Sequence, residues 1–423
     1  MSVRSMLKSR IAEYITSESR VLRKRRAFEK QRRRTGADHE VHYFHDAADP
    51  YAHLTLQVLG EFQNRYAITL KIHLISGPPD WAAPERSALE AYALVDSMRL
   101  AEHYGLAETS SETPSAERVA RAETLMSRDL ESDECVGKLL EISSRLWSGD
   151  ELPSSAELDA ERTKEKGDAR LAELGHYLGA TFYYGGEWYW GVDRFQYLED
   201  RLQKLGLSKA PNKIVSTVPR PLPSLAASTD VNIDFFLSFR SPYSYLAFDR
   251  ACTLSDRVGG MLNIRPVLPM VMRGLPVPSA KRKYILSDAA REARFHGIPF
   301  GRICDPLGKA IERGYSLLEY ADSNDRLKEF CGAFMTGVWS QGIDASSDRG
   351  LSRIVSCAGL DWNEAKDIVD NDDWRVQVEA NRQELVKLGL WGVPSFRVGT
   401  TGIWGQDRLW VMEDPVANSS AFV

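Results

Sequence analysis

Three stretches of this chain occur twice, in the same order, and a chain that repeats itself at domain length must build one supersecondary plan twice over. "VHYFHDAADPYAHLTLQ" (41–57) shares its outline with "DFFLSFRSPYSYLAFDR" (234–250), with Asp49 where Ser241 stands. "YALVDSMRLAEHYGL" (92–106) aligns with "YILSDAAREARFHGI" (284–298), matching Tyr92 to Tyr284, Asp96 to Asp288, Arg99 to Arg291 and Gly105 to Gly297. "GATFYYGGEWYWGVDRF" (179–195) aligns with "VPSFRVGTTGIWGQDRL" (393–409), and both close on W-G-x-D-R. The spacings agree as well. Asp49 to Tyr92 and Ser241 to Tyr284 are each 43 residues, and Ala180 to Asp193 and Pro394 to Asp407 are each 13. Only the middle differs, being 22 residues longer in the second copy.

Each copy begins with an apolar β-rich run, turns to helical spacing and returns to a second β-rich run, which predicts a β-α-β unit with a parallel strand pair. In the second copy these are "VNIDFFLSF", "PYSYLAFDRACTLSDRV" and "MLNIRPVL"; a long helical section then precedes "PSFRVGTTGIWG", a hairpin around a Gly-rich turn. "VHYFHDA", "AITLKIHLI" and "ATFYYGGEWYW" follow the same plan in the first copy. Between the copies, Pro219, Pro221 and Pro223 alternate in a Ser/Ala-rich segment, the composition of an extended connector.

The 423 residues exceed one ordinary core, and 43% hydrophobic with 27% charged residues suits globular domains. A net charge of −5 argues against nucleic acid as an obligatory partner, and no apolar run spans a bilayer. The first residues lack an apolar signal region, so a cytoplasmic location is expected. Residues 1–34 are the exception to the acidic balance, with twelve Lys/Arg against three Glu, and Val3, Met6, Leu7, Ile11, Tyr14 and Ile15 recur there at helical spacing. Such a basic helix suits either an anionic surface or docking on acidic protein. Cys135, Cys252, Cys304, Cys331 and Cys357 show no C-x-x-C spacing, the pattern of inert free thiols. His42, His45 and His53 are read as core or surface polar groups, with no metal site expected.

"SPYSYLA", "KRKYILSD", "GVPSF" and "WGQDRL", in that order, resemble 2-hydroxychromene-2-carboxylate isomerases and kappa-class glutathione transferases, within the DsbA-like thioredoxin group. The resemblance covers about residues 230–415, and residues 40–205 share it only through the repeat. The expected fold class is α/β, with two tandem thioredoxin-like (DsbA-type) domains, each carrying an all-helical insertion. The expected segments are a basic N-terminal helix (1–39), a degenerate domain (40–205), a Pro-rich linker (206–229), a second domain (230–415) and a tail (416–423).

The resemblance implies glutathione as cofactor and a small electrophilic aromatic or unsaturated molecule as substrate, isomerised or conjugated. Ser241 stands where redox members keep their first cysteine, at a strand-to-helix turn. Unpaired amides and the positive end of a helix dipole favour an anion there, and Pro242 sacrifices no helical hydrogen bond. A serine at this place also serves as an ordinary N-cap, and the two roles are compatible. By the resemblance, the bond from Val393 to Pro394 is cis and the backbone of Val393 pairs with the cysteinyl part of glutathione. Asp407, with Gln406 beside it, receives the γ-glutamyl ammonium, and Lys281 binds a carboxylate. Asp407 is alternatively a helix cap, and Lys281 a solvated member of "KRK". The asparagine that kappa-class proteins carry after the second strand falls near Met272 or Arg273 here.

In the first copy Asp49 replaces the serine, where its charge would repel a thiolate, and Ala180 replaces the proline. The two copies are expected to pair as an intramolecular pseudo-dimer with only the second active. A second reading keeps the fold as a non-catalytic scaffold that meets a partner through the basic helix. A protein disulfide oxidoreductase would need a cysteine at or within three residues of position 241, and none is there.

Overall fold

Aromatic and β-branched runs of period two become strands, and the helical periods between them become helices, in a computed structural model that describes residues 3–154, 160–215 and 231–412. The chain begins with α1 (Val3–Thr16) and α2 (Glu18–Thr35), followed by β1 (Glu40–His45), α3 (Pro50–Arg65) and β2 (Thr69–Leu74). Helices α4 (Arg86–Tyr104), α5 (Ala116–Asp129), α6 (Cys135–Ser148) and α7 (Ala160–Leu174) precede the hairpin β3 (Thr181–Tyr184) and β4 (Glu187–Trp190), and α8 (Gly191–Lys204) closes this half. The second half opens with β5 (Asn232–Leu237), α9 (Pro242–Val258) and β6 (Met261–Pro266). Seven helices follow: α10 (Ser279–Phe295), α11 (Lys309–Tyr315), α12 (Leu318–Ser323), α13 (Leu327–Trp339), α14 (Asp348–Cys357), α15 (Trp362–Ile368) and α16 (Trp374–Lys387). The hairpin β7 (Ser395–Val398) and β8 (Thr401–Trp404) leads into a 3-10 helix, Gln406–Met412. The greater length of the second helical section is thus spent on additional short helices.

The chain divides into two units, residues 23–219 and residues 1–22 with 220–423. The first holds a four-stranded sheet in the order β2-β1-β3-β4, the second a sheet in the order β6-β5-β7-β8. In each, the two leading strands are parallel, the first hairpin strand runs antiparallel to its neighbour and the second antiparallel to the first. A parallel pair needs a crossover, which α3 and α9 provide. The registers place Tyr43 beside Phe182 and Phe235 beside Phe396, with ring centroids 4.9 Å and 4.4 Å apart.

Two expected boundaries need correction. The N-terminal segment is two helices rather than one. Ser17 interrupts it, its Oγ accepting from the backbone N–H of Arg20 while its hydroxyl donates to the Tyr14 carbonyl. A side chain that satisfies the backbone on both sides offers the chain an alternative to continuing the helix. The polybasic α2 then docks on the β3–β4 hairpin: Arg25 forks onto Glu187 at 2.7 Å, Phe28 stands edge-on to Tyr184, and buried Glu29 accepts from the Tyr184 hydroxyl.

The second correction concerns the linker. Packing on the first unit continues through Val215, well past residue 206, because fully buried Glu199 accepts from the Tyr66 hydroxyl and from the backbone N–H groups of Ile214 and Val215. Pro219, Pro221, Pro223 and the tail lie outside the described residues. Glu199→Ala would leave two amides and a phenol without their acceptor. We expect a loss of about 2–3 kcal/mol in this unit and faster proteolysis within residues 206–215, read by limited digestion with mass spectrometry.

Candidate functional site

The strand β5 delivers the chain to Ser241, which N-caps α9 in an extended conformation, with Pro242 in the first helical turn. Ser241 Oγ accepts from the backbone N–H of Ser244 at 3.1 Å, so the structural role is real. Its hydroxyl proton goes elsewhere. It is donated to the carbonyl of Val393, 3.2 Å away, across a sequence separation of 152 residues. The Val393–Pro394 peptide is cis, and Pro394 opens into β7. The Pro394 carbonyl accepts from the backbone N–H of Gly405 at 2.9 Å. Gly405 has φ 115°, a conformation open to glycine, and a Cβ there would lie 2.7 Å from Asp407 Oδ1. The Asp407 carboxylate therefore folds back over Gly405, next to the turn that holds Pro394. Ser241, Val393, Pro394 and Asp407 are joined by this short chain of contacts.

Gln406 lies beside Asp407 with its side chain turned inward. It is 1% exposed; its amide donates to Glu292 Oε2 at 2.7 Å, and its Oε1 accepts from Arg250 at 2.6 Å. With Arg250 also donating to the Gln406 carbonyl, this residue fastens the 3-10 helix to α9 and α10. The reason is geometric: a residue beside a 3-10 turn that covers α9 points its side chain inward, where α9 and α10 already present a cation and a carboxylate. Lys281 lies in the first turn of α10, two turns before Asp288 and on the same helical face. Burial lowers its pKa. No described contact joins it to Ser241.

The repeated Tyr and Asp residues have structural partners. Tyr243 donates to fully buried Asp288 at 2.9 Å, and Tyr51 donates to buried Asp96 at the same distance. Sequence reasoning missed several residues that frame the site. Arg240, next to Ser241, forks onto Asp305. Arg273 donates to the Trp391 carbonyl, and Trp391 packs against Trp404 at 4.9 Å between ring centroids. Arg273 thus takes the region where the kappa-class asparagine was expected. It also lines a cavity of about 210 Å³ with Leu268, Arg375, Val378, Glu379 and Arg382. No sequence signal could have grouped these arginines, since they come from the two ends of the helical section.

The matching turn of the first unit is filled. Asp49 N-caps α3, accepting from the backbone N–H of Tyr51, and Asp46 accepts from that of Ala48. A Cβ at Gly179 would lie 2.9 Å from the Asp46 Cβ, so the backbone before Ala180 presses directly on this pair. Burial and then the Asp46 charge push the Asp49 carboxyl up to about 8, and burial holds Asp46 at about 6. Burial thus favours the neutral carboxyl of Asp49, and the packing of Gly179 on Asp46 closes this turn.

Cys135, Cys252, Cys304 and Cys331 are unlike reactive thiols, and Cys357 is exposed. Burial raises Cys135 and Cys304 to about 11 and Cys252 to about 12, and raises Cys331 as well. Among the described residues no His, Cys, Asp and Glu side chains form a metal-binding group, and no helix is long and apolar enough to cross a membrane.

Comparison with known proteins places residues 232–417 in the DSBA-like thioredoxin domain family. The chain is 28% identical over 189 residues to the 2-hydroxychromene-2-carboxylate isomerase of Sphingobium xenophagum, covering 43% of this chain and 95% of that protein. It is 23% identical over 197 residues to the enzyme of that name from Pseudomonas sp. (strain C18), covering 45% and 92%. A solved 2-hydroxychromene-2-carboxylate isomerase matches with a TM-score of 0.39 and 21% identity, over 44% of this chain and 95% of that one. The C-terminal half is thus a DsbA-like thioredoxin domain homologous to proteins named as these isomerases.

Proposed function

We propose that the C-terminal unit is a glutathione-dependent isomerase of a small unsaturated or aromatic electrophile, with the N-terminal unit a non-catalytic relative of the same plan. The carrying observation is the bond from the Ser241 hydroxyl to the carbonyl of Val393, 152 residues away. The residues fit a thiol tripeptide by their chemistry: an extended backbone carbonyl for a peptide N–H, a carboxylate for an ammonium, and a hydroxyl donor at a helix N-terminus for a sulfur anion. Bound glutathione would supply a sulfur nucleophile that adds to the electrophilic carbon and leaves once the double bond has turned.

Val393 would offer its carbonyl to the peptide, which releases the Ser241 hydroxyl to turn towards the sulfur. Ser241 would then hold the anion together with the α9 dipole, with no cysteine of the protein involved. Asp407 would anchor the amino end. Gln406 would act at one remove, through the network with Arg250 and Glu292 that seats the 3-10 helix. Lys281, partly buried on α10, would answer a glutathione carboxylate. Arg273 suits the carboxylate of an acidic electrophile, whereas Arg375 and Arg382 on the same cavity are paired with Asp372 and Glu379. The equal strand order of the two sheets supports a duplication, and the closed turn at Asp46 and Asp49 supports a silent N-terminal copy.

Titration calorimetry with glutathione tests this reading. We expect wild-type binding, about tenfold weaker in Ser241→Ala and in Asp407→Ala, and a lower ultraviolet thiolate absorbance of bound glutathione in Ser241→Ala at neutral pH. Absence of binding in the wild type would favour the scaffold reading.

A further inference from the structure

Helix α1 is turned the opposite way from an ordinary amphipathic helix of a globular protein. Its small polar face is the buried one. Ser9 and Thr16 are buried against the C-terminal unit, where Cβ atoms at Gly342 and Gly301 would come within 2.2 Å and 2.4 Å of their hydroxyl oxygens. Both glycines have positive φ, so the approach is built on two positions that leave no room for a side chain. Arg294 donates to the Thr16 carbonyl at 2.9 Å, placing a cation on the C-terminal end of the helix. The helix is therefore held in register by groups that a slip or rotation would break.

That register leaves an apolar stripe outside. Leu7 is 60% exposed, Ile11 49%, Tyr14 49% and Ile15 40%, at the i, i+4, i+7, i+8 spacing of one helical face. Lys8 and Arg10 stand exposed beside it, and the Arg20 guanidinium lies over the Tyr14 ring at 5.7 Å. An apolar stripe of large side chains flanked by exposed Lys8 and Arg10 has two requirements: somewhere to put aliphatic carbon, and negative charge beside it.

We propose that α1 is an interfacial anchor that lays the Leu7–Ile11–Ile15 stripe into the surface of an anionic lipid membrane. Lipid meets both requirements, with acyl carbon for the stripe and acidic headgroups for the basic residues. A second copy of this chain meets them poorly. Four partly exposed side chains fall far short of the roughly 800 Å² that each partner contributes to a stable interface. Pairing through this stripe would also bring Lys8 and Arg10 of two copies together. Nucleic acid would satisfy the charge and leave the aliphatic stripe in water. The anchor is independent of the glutathione site, so failure of one leaves the other standing.

Co-sedimentation of the full chain with vesicles tests the proposal, using phosphatidylcholine alone and phosphatidylcholine mixed with phosphatidylglycerol, at low and high salt. The expected result is pelleting with the mixed vesicles at low salt, reduced by high salt and weak with phosphatidylcholine alone. In Leu7→Asp/Ile11→Asp, partitioning falls at least about tenfold while the circular dichroism melt is unchanged, since both side chains are solvent-facing. Gly342→Val, which dislodges the helix from its seat, is a second variant; it weakens partitioning and leaves glutathione affinity unaltered. Equal pelleting of wild type and the double variant would overturn the proposal, because charge alone would then account for binding. Absence of pelleting would overturn it too, as would a wild-type dimer that the double substitution converts to monomer.

Discussion

Asp49→Asn is expected to stabilise the N-terminal unit by about 1–2 kcal/mol near pH 8 and to flatten its alkaline loss of stability. Asp49 has its carboxyl raised from an ordinary 3.8 to about 8, chiefly by burial and secondarily by Asp46. The folded state therefore holds a proton that the unfolded chain releases. The stabilisation is complete below pH 3.8, declines as pH rises and is gone above about 8. Asparagine keeps an oxygen for the Tyr51 amide and has no charge to lose.

An opposite limb comes from histidine. Burial lowers His53 and His73 from 6.5 to about 4 and His45 to about 3, with His45 and His73 each also facing a second histidine. Their contribution is present above 6.5 and falls away as pH drops towards those values. Summed, these groups make the wild-type unit most stable near pH 6.5, where the histidine gain is complete while the Asp49 loss continues. Scanning calorimetry across the range would show the high-pH side flatten in Asp49→Asn while the acid side stays. A wild-type alkaline slope retained in the variant would contradict the assignment.

The larger mechanical effect is expected from Asp234→Ala, at about 3 kcal/mol in the C-terminal unit. Asp234 is 5% exposed on β5 and receives both Arg397 from β7 and, at 3.1 Å each, Arg265 and Asn263 from β6. Removing the carboxylate leaves two guanidinium groups facing each other across the sheet. Arg397 is also three residues beyond Pro394, so this ion group fixes the register of β7 against β5 (Asp234 opposite Arg397) and with it the height of the Val393 carbonyl above Ser241. We expect urea unfolding to show the loss and glutathione affinity to drop with it. Asp234→Asn, which keeps two acceptor lone pairs but not the charge, should lie between. An unchanged denaturation midpoint in Asp234→Ala would refute the role given to this group.

Much of the architecture could be read from spacing because it is local. "NIDFFL" and "MLNIRP" announce a parallel pair by their period and by the helix between them, and "SFRVGTTGIW" announces its hairpin by the central Gly-containing turn. Pro242 and Ser241 mark a helix start by rules that hold within one turn of chain. The same rules act on Asp49 and Pro50 at the start of α3.

Other properties depended on groups that meet only after folding. The Ser241 proton goes to a carbonyl 152 residues away, and Gln406 turns inward because Glu292, 114 residues earlier, waits there. The raised pKa of Asp49 follows from its burial and then from Asp46, and the outward stripe of α1 follows from two glycines in the opposite half of the chain. Side-chain direction, desolvation and charge are set by long-range neighbours, whereas strand, turn and cap are set by the residues next in line. Sequence by itself determined the plan of each half; tertiary contact decided which polar groups of that plan bond to one another across the fold, because those partners meet only once the chain has folded.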